Sequence, residues 1–85
     1  MLVKILTPEL TLLQQEIVGI LLPATTGKLE ILNNHAPLIA SLTSGEVKVF
    51  LNEQHTKKFQ IQGGVVQVLK NEVIVLAEGG QSIEE

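Results

Sequence analysis

Alternation of polar and apolar residues is the sequence feature that most constrains the fold of this chain. Residues 46–51 and 58–62 alternate clearly, whereas the three-to-four-residue spacing of an amphipathic helix is scarce along the sequence. Polar residues 52–55 separate these two stretches and are typical of a hairpin loop. The pattern predicts two antiparallel β-strands joined by that loop.

The rest of the chain continues the β pattern, with turn residues between the apolar stretches. Pro8 ends the first stretch, because proline lacks the N–H that a strand ladder needs. Gly63-Gly64 predicts a β-bulge or a close approach of two backbones. Strands are predicted at residues 2–6, 11–14, 16–23, 27–31, 36–42, 46–51, 58–62, 65–69 and 72–77, with turns at 33–34, 43–45 and 70–71.

Short strands with turns about every 8–12 residues predict an all-β fold class. We expect a single-domain β-sandwich or flattened barrel of about eight to ten short strands, which covers residues 1–78. Residues 79–85 are polar and are predicted to form a frayed C-terminal tail. No C-terminal helical hairpin is expected in this sequence.

Composition favours the same fold class. Hydrophobic residues make up 45% of the 85 residues, but only Phe50 and Phe59 are aromatic, so aliphatic side chains have to build the core. β-Branched aliphatic residues fit pleated, half-buried surfaces. The chain has no cysteine, which excludes disulfides and cysteine-ligated metal sites.

Charge and hydropathy argue against two classes of partner. The net charge is −3, and six Lys/Arg residues cannot form a patch that follows a phosphate backbone, so no nucleic acid is expected. The longest apolar run, residues 17–22, is far shorter than the roughly 20 residues of a membrane-spanning helix. The N-terminus also lacks the features of a signal peptide. We therefore expect a cytoplasmic domain with no direct membrane insertion.

Candidate catalytic residues are few. Ser41, Ser44 and Ser82 lie in no recognisable nucleophile motif, and His35 and His55 are the only histidines. His55 is predicted to be a solvated loop residue. His35 precedes Ala-Pro and is predicted to hydrogen-bond the turn backbone or to contact a partner. We expect no catalytic, cofactor-binding or metal-binding residues.

Two segments are typical of docking surfaces. Residues 27–38 form a sequence-specific loop that presents an apolar edge stiffened by Pro37. Residues 17–22 are apolar on both faces of a predicted strand. Either both faces are covered within the domain, or one face is buried against another protein.

Several short motifs occur in a fixed order along nearly the whole chain. They are Val3-Lys4-Ile5-Leu6-Thr7-Pro8-Glu9, Leu22-Pro23, Gly27-Lys28-Leu29, Ile31-Leu32, His35-Ala36-Pro37-Leu38, Leu42, Gly45, Gly63-Gly64 and Val73-Ile74-Val75-Leu76-Ala77. With this order and spacing, the sequence resembles the N-terminal β-sandwich domain of the epsilon subunit of F-type ATP synthase, which is called delta in mitochondria.

The resemblance implies a non-catalytic subunit in the central stalk of the rotor. Such a subunit binds the gamma subunit and the c-ring and couples proton-driven rotation to ATP synthesis. It would be peripheral, at the cytoplasmic face of the cell inner membrane, and is not expected to homo-oligomerise. The family's ring-facing loop falls on Thr26, Gly27, Lys28 and Leu29. Its gamma-facing edge falls on Thr7, His35, Ala36, Pro37, Leu38 and Ala40.

Two of the departures of the sequence from the family pattern bear on the implied contacts and on ATP binding. Lys28 stands where the family usually has an acidic residue, which reverses one charge in the implied ring contact. Many epsilon subunits continue into a helical hairpin that in some bacteria binds ATP, whereas this sequence ends about eight residues after its last predicted strand. We therefore expect no ATP binding by these 85 residues.

Two alternative functions remain at this point. In a lipoyl- or biotinyl-type carrier domain, Lys70 would be the modified residue on a hairpin. Its neighbours Leu69 and Glu72 do not match the sequences that the modifying enzymes read. The other alternative is an unrelated β-sandwich adaptor.

Overall fold

Eight strands and no helix make up residues 1–83, which are the residues that the computed structural model describes. In this part of the chain no helix is available to cross a membrane. The all-β prediction is therefore confirmed. The strands are β1 (Leu2–Leu6), β2 (Thr11–Glu16), β3 (Gly19–Ala24), β4 (Gly27–Leu32), β5 (Leu38–Phe50), β6 (Thr56–Leu69), β7 (Glu72–Ala77) and β8 (Gly80–Ile83).

The strands pair in one sheet with the order β2-β1-β7-β6-β5-β3-β4, and β8 pairs with β6. All pairs are antiparallel except β1 and β7. The second half of β6 pairs with β7 and its first half with β8, so the sheet folds over into two layers. The first layer contains β2, β1, β7, the end of β6 and the start of β5. The second layer contains β4, β3, the end of β5 and the start of β6, with β8 at its edge.

Two long strands, β5 of 13 residues and β6 of 14 residues, pass through both layers. The turn predicted at residues 43–45 is wrong, because β5 continues through it, and β6 likewise joins the two strands predicted on either side of Gly63-Gly64. The close approach of two backbones predicted at Gly63-Gly64 is confirmed, because a Cβ atom at Gly64 would overlap the Leu76 carbonyl oxygen. Pairing between the two strands continues from Leu38–Val68 to Phe50–Thr56 in one register. Gly63 and Gly64 adopt φ values of 105° and 143°, so these glycines bend β6 between the layers without ending it.

Residues 80–83 correct a second prediction, because they form β8 where a frayed tail was expected from residue 79. β7 and β8 pair one after the other with the same strand, β6. The Gln62 N–H donates to the Gly79 carbonyl over 2.9 Å, and the Glu78 N–H donates to the Gly63 carbonyl over 3.0 Å. These bonds hold the chain beside β6 across the short gap between the two strands. Residues 84–85 of the predicted tail lie outside the described residues.

One aliphatic core lies between the layers, with Phe59 as its aromatic member. Among residues 1–83 the core buries no polar or charged side chain. It also explains most of the apolar 17–22 segment. In β3, Ile20 and Leu22 point into the core, whereas Leu21 on the outer side is only half buried. The remaining core residues of highest burial are Val3, Ile5, Ile31, Val47, Val49, Ile61, Val66, Val68, Val73 and Val75.

Candidate partner-binding surfaces

The β3–β4 hairpin carries the predicted ring-facing loop at its tip. Ala24 pairs with Gly27, which leaves Thr25 and Thr26 as the turn. The Thr25 N–H donates to the Ser41 carbonyl over 3.0 Å and so fixes the tip to β5. Gly27 adopts a φ of 129°, a conformation that side chains disfavour, and this explains the glycine at the end of the turn. The tip is therefore short and anchored.

The four predicted ring-facing residues do not all point outward. Thr26, Gly27 and Lys28 are exposed, whereas Leu29 packs partly against the core. The Lys28 ammonium forms no ion pair with residues 1–83. An exposed cation beside an anchored turn is available to a partner that carries negative charge.

The loop at residues 33–37 lies at the opposite end of β4 and is held by hydrogen bonds to two asparagine side chains. The Asn33 side-chain oxygen accepts from the Met1 α-amino group over 2.9 Å. The Asn34 N–H donates to the Asn71 side-chain oxygen over 2.8 Å, and Asn34 itself has a φ of 63°. Asparagine tolerates this left-handed conformation better than most residues, so the predicted Asn-Asn turn forms without glycine.

His35 has a positioning role in this loop. Its Nδ1 lies 2.7 Å from the Ala36 carbonyl oxygen, and because a carbonyl only accepts, Nδ1 carries the proton and donates. The His35 N–H also donates to the Leu32 carbonyl over 3.2 Å. The ring therefore holds the backbone just before Pro37, as the first of the two sequence interpretations predicts.

The predicted gamma-facing edge alternates between inward and outward side chains. Ala36 and Pro37 are exposed, whereas Leu38 and Ala40 pack partly against the core. Ile39, between them, projects outward with 73% of its surface exposed. Ile39 is not among the gamma-facing residues that the resemblance implies. The alternation of β5 could have identified it, because Leu38, Ala40 and Leu42 share one face and Ile39 lies on the other.

Ile39 belongs to an exposed apolar surface on the first layer. Outward side chains from four neighbouring strands form this apolar face, and they come from segments that are far apart in the sequence. Two rows of paired residues run across the strands. In the first row Gln67 lies between Ile39 and Ile74, and in the second row Leu76 lies between Val65 and Leu6. We define the apolar face by its members Leu6, Ile39, Val65, Ile74 and Leu76.

Thr7 borders the apolar face at the end of β1. Its hydroxyl group hydrogen-bonds the Leu10 backbone and so closes the turn between β1 and β2. Three strand spacings, about 14 Å, separate β1 from β5, so Thr7 does not touch the other predicted gamma-facing residues. The apolar face lies between Thr7 and Ile39. The apolar face therefore connects Thr7 with the rest of the predicted gamma-facing edge.

The described residues bring together no catalytic arrangement. No three His, Asp or Glu side chains within residues 1–83 lie close enough to hold a metal ion. His55 is exposed in the β5–β6 loop, where its ring contacts the Asn52 side-chain oxygen at 3.1 Å. Lys70 is exposed at the tip of the β6–β7 hairpin.

Comparisons with known proteins identify the family of this chain. The model of the family "ATP synthase, Delta/Epsilon chain, beta-sandwich domain" matches residues 1–82. The ATP synthase epsilon chain of Chlorobium limicola is 36% identical over 74 residues, which cover 87% of this chain and 84% of the relative. The ATP synthase epsilon chain of Synechocystis sp. is 37% identical over 79 residues, which cover 93% of this chain but 57% of the relative.

Solved structures show the same fold. A chain of the Euglena gracilis mitochondrial ATP synthase structure, which contains OSCP, F1 and the c-ring, superposes with a TM-score of 0.89. It is 20% identical, and the match covers 98% of this chain and 53% of that chain. A chain of the central stalk and c-ring structure from Tetrahymena thermophila gives a TM-score of 0.81, with 93% and 63% covered. From the family model and the relatives together, the chain belongs to the ATP synthase delta/epsilon family and contains its β-sandwich domain.

Proposed function

We propose that this chain is a non-catalytic rotor subunit that binds both the gamma subunit and the c-ring of an ATP synthase. The observation that carries the proposal is the placement of the two candidate contacts at opposite ends of β4. The hairpin tip precedes Gly27, and the loop at residues 33–37 follows Leu32. Six residues of strand separate them by about 20 Å. One partner at the tip and a second partner at the loop at residues 33–37 can therefore be bound at the same time.

The body between the two ends is suited to transmit rotation. Both contacts are connected to β5, through the Thr25–Ser41 hydrogen bond at the tip and through Leu38, which directly follows the loop at residues 33–37. β5 lies in the continuous sheet, and one close-packed core supports both layers. Close-packed interiors have low compressibility and transmit strain. A force at the hairpin tip would thus reach the gamma-facing edge with little deformation.

Membership of the family favours this function over the two alternatives. Lys70 does occupy an exposed hairpin tip, as the carrier-domain interpretation requires, but the delta/epsilon family accounts for residues 1–82. The structures that share the fold are described as assemblies with the c-ring or the central stalk. As part of such an assembly, the chain would be peripheral at the cytoplasmic face of the inner membrane and would need no cofactor.

A three-component binding assay tests the proposal. Immobilised c-ring is incubated with this chain and then with the cognate gamma subunit, and each retained protein is quantified. We expect the chain to bind each partner alone and to retain both together. Mutually exclusive binding would contradict the placement of the contacts at opposite ends, and failure to bind either partner would contradict the function itself.

Lys28 should affect only the ring contact. We expect Lys28→Glu to weaken attachment to the c-ring about three- to tenfold at low salt, since an exposed cation is replaced by an anion at the hairpin tip. Binding to gamma should not change, because Lys28 is exposed beside second-layer residues and the loop at residues 33–37 lies about 20 Å from the tip. Lys48→Glu is the matched control, since Lys48 lines the same surface cavity as Lys28 but lies on β5. Equal effects of the two substitutions would contradict the assignment of the tip.

A further inference from the structure

The edge strand β4 leaves one side of the second layer open. β4 ends the strand order of the sheet and pairs with β3 alone among the strands of residues 1–83. Its other side presents backbone N–H and C=O groups to solvent, and four of its six residues are exposed. An open edge of this kind is a template for pairing with a further strand.

The turn between β3 and β4 determines which backbone groups are open to a partner. A two-residue turn makes its flanking residues, Ala24 and Gly27, a hydrogen-bonded pair, and such pairs alternate with non-hydrogen-bonded pairs along an antiparallel ladder. Pro23, which has no N–H, faces Lys28 at a non-hydrogen-bonded position, as this alternation requires. The N–H and C=O groups of Lys28 and Glu30 therefore point away from β3.

Charge restricts how a second copy of β4 can pair with this edge. A two-fold axis must pass through a residue position, because a shift by one residue would set open backbone groups opposite groups that are already bonded to β3. An axis at Lys28 would oppose two lysines, and an axis at Glu30 would oppose two glutamates. Only an axis at Leu29 places Lys28 of each copy opposite Glu30 of the other. Directly opposed residues of opposite charge stabilise a sheet and like charges destabilise it, so charge selects this register.

The apolar residues of β4 also fit the register centred on Leu29. Leu29 packs only partly against the core, because it lies at the edge of its layer. On the two-fold axis the two Leu29 residues would form a non-hydrogen-bonded pair with their Cα atoms about 4.5 Å apart, so their side chains would contact each other. Leu32, which is 53% exposed, would lie opposite Thr26 of the second copy. Both leucines would therefore lose exposed surface.

We propose that two copies of this chain pair antiparallel through β4, around a two-fold axis at Leu29, into one continuous sheet. Each copy contributes the same strand, as a two-fold interface requires. A lysine alone on an edge strand opposes pairing, but here Glu30 supplies the complementary charge. Lys28 also belongs to the proposed c-ring contact, so the pairing belongs to the chain outside the rotor. The pairing does not depend on the proposed function, and either can fail without the other.

Sedimentation equilibrium of the 85-residue chain measures this association. The contact of six residues per copy is small, so we expect a dissociation constant on the order of 100 µM. Lys28→Glu should weaken the dimer about tenfold, because both charge pairs become repulsive. Lys70→Glu is the matched control, since it changes the net charge equally at the exposed β6–β7 turn, and it should stay within about twofold of the unsubstituted chain. A chain that remains monomeric at about 1 mM would overturn the proposal.

An exchange of the two charges tests the register. Glu30→Lys alone should weaken the dimer about tenfold, and Glu30→Lys combined with Lys28→Glu should restore its affinity to within about twofold. Lys28→Glu combined with Glu53→Lys restores the net charge in the exposed β5–β6 loop instead, and this variant should remain weak. Thermal melting verifies that each variant is folded. A charge-exchanged variant as weak as the single variants would overturn the register at Leu29.

Hydrogen exchange measured by NMR distinguishes strand pairing from association through another surface. The amide hydrogens of Lys28 and Glu30 are open in the single copy and bonded in the pair, so their exchange should slow as the chain concentration rises from about 50 µM to about 1 mM. The amide hydrogens of Leu29 and Ile31 are bonded to β3 and should be protected at both concentrations. Exchange at Lys28 and Glu30 that does not depend on concentration would overturn the pairing through β4.

Discussion

Replacement of Gly64 by alanine is expected to destabilise the domain by about 3–5 kcal/mol. A Cβ atom at this position would lie 2.9 Å from the Ala77 Cα atom and would overlap the Leu76 carbonyl oxygen. Both of these atoms belong to the backbone of β7 and cannot rotate away. The φ of 143° adds strain for any side chain. An 85-residue domain has a total stability of about 4–13 kcal/mol, so the loss is a large part of it.

Urea denaturation monitored by circular dichroism measures this loss, with Gly27→Ala as the matched control. Gly27 also has a positive φ, of 129°, but no atom lies within 4 Å of its Cβ position. Only backbone strain then remains, and we expect a cost of about 1 kcal/mol. Equal losses in the two variants would show that the close approach of β6 to β7 is not the cause.

Replacement of Ile39 by glutamate is expected to weaken gamma binding about 30-fold or more and to leave stability almost unchanged. Ile39 is 73% exposed and is the apolar side chain that projects from the start of β5. A carboxylate there would have to be desolvated without a partner when the interface forms. Titration of gamma with the folded variant, beside its melting curve, measures both quantities. Unchanged affinity would exclude the start of β5 from the contact.

Leu38→Glu distinguishes an effect on binding from an effect on folding. Leu38 packs partly against the core, so a carboxylate at this position should lower the unfolding free energy by about 1–3 kcal/mol. Any loss of binding by this variant would include partial unfolding. Ile39→Leu, which keeps an apolar side chain of similar volume, should bind gamma like the unsubstituted chain.

The strands that the sequence predicts with the correct bounds are those with strong local signals. β1 and β7 match residues 2–6 and 72–77, because Thr7-Pro8 ends the first strand and Lys70-Asn71 turns the chain before the other. β8 was missed because its residues are mostly polar and only its pairing with β6 makes it a strand. A glycine in a predicted strand can either bend the strand or end it, and only the pairing with neighbouring strands determines which of the two occurs.

The candidate surfaces, like the strands, could be predicted from the sequence only where the signal is local. The Asn-Asn turn follows from local chain chemistry, whereas the loop at the hairpin tip follows from the family resemblance, and both turns occur in the structure. The apolar face does not follow from local patterns, because Ile39, Val65 and Leu76 come from three different strands. Their proximity depends on the register of β5, β6 and β7, which no single segment of sequence specifies.

The passage of β5 and β6 through both layers has a consequence for how the molecule folds and opens. A short loop connects β5 and β6, so these two strands can pair early in folding. The remaining strands of either layer can then pair with them. Because each layer includes half of this hairpin, neither layer can detach while the other stays intact. We expect the amide hydrogens of β3 and β7, one from each layer, to exchange with solvent through a single cooperative opening. In a subunit built in this way, repeated mechanical load would not separate the two layers from each other.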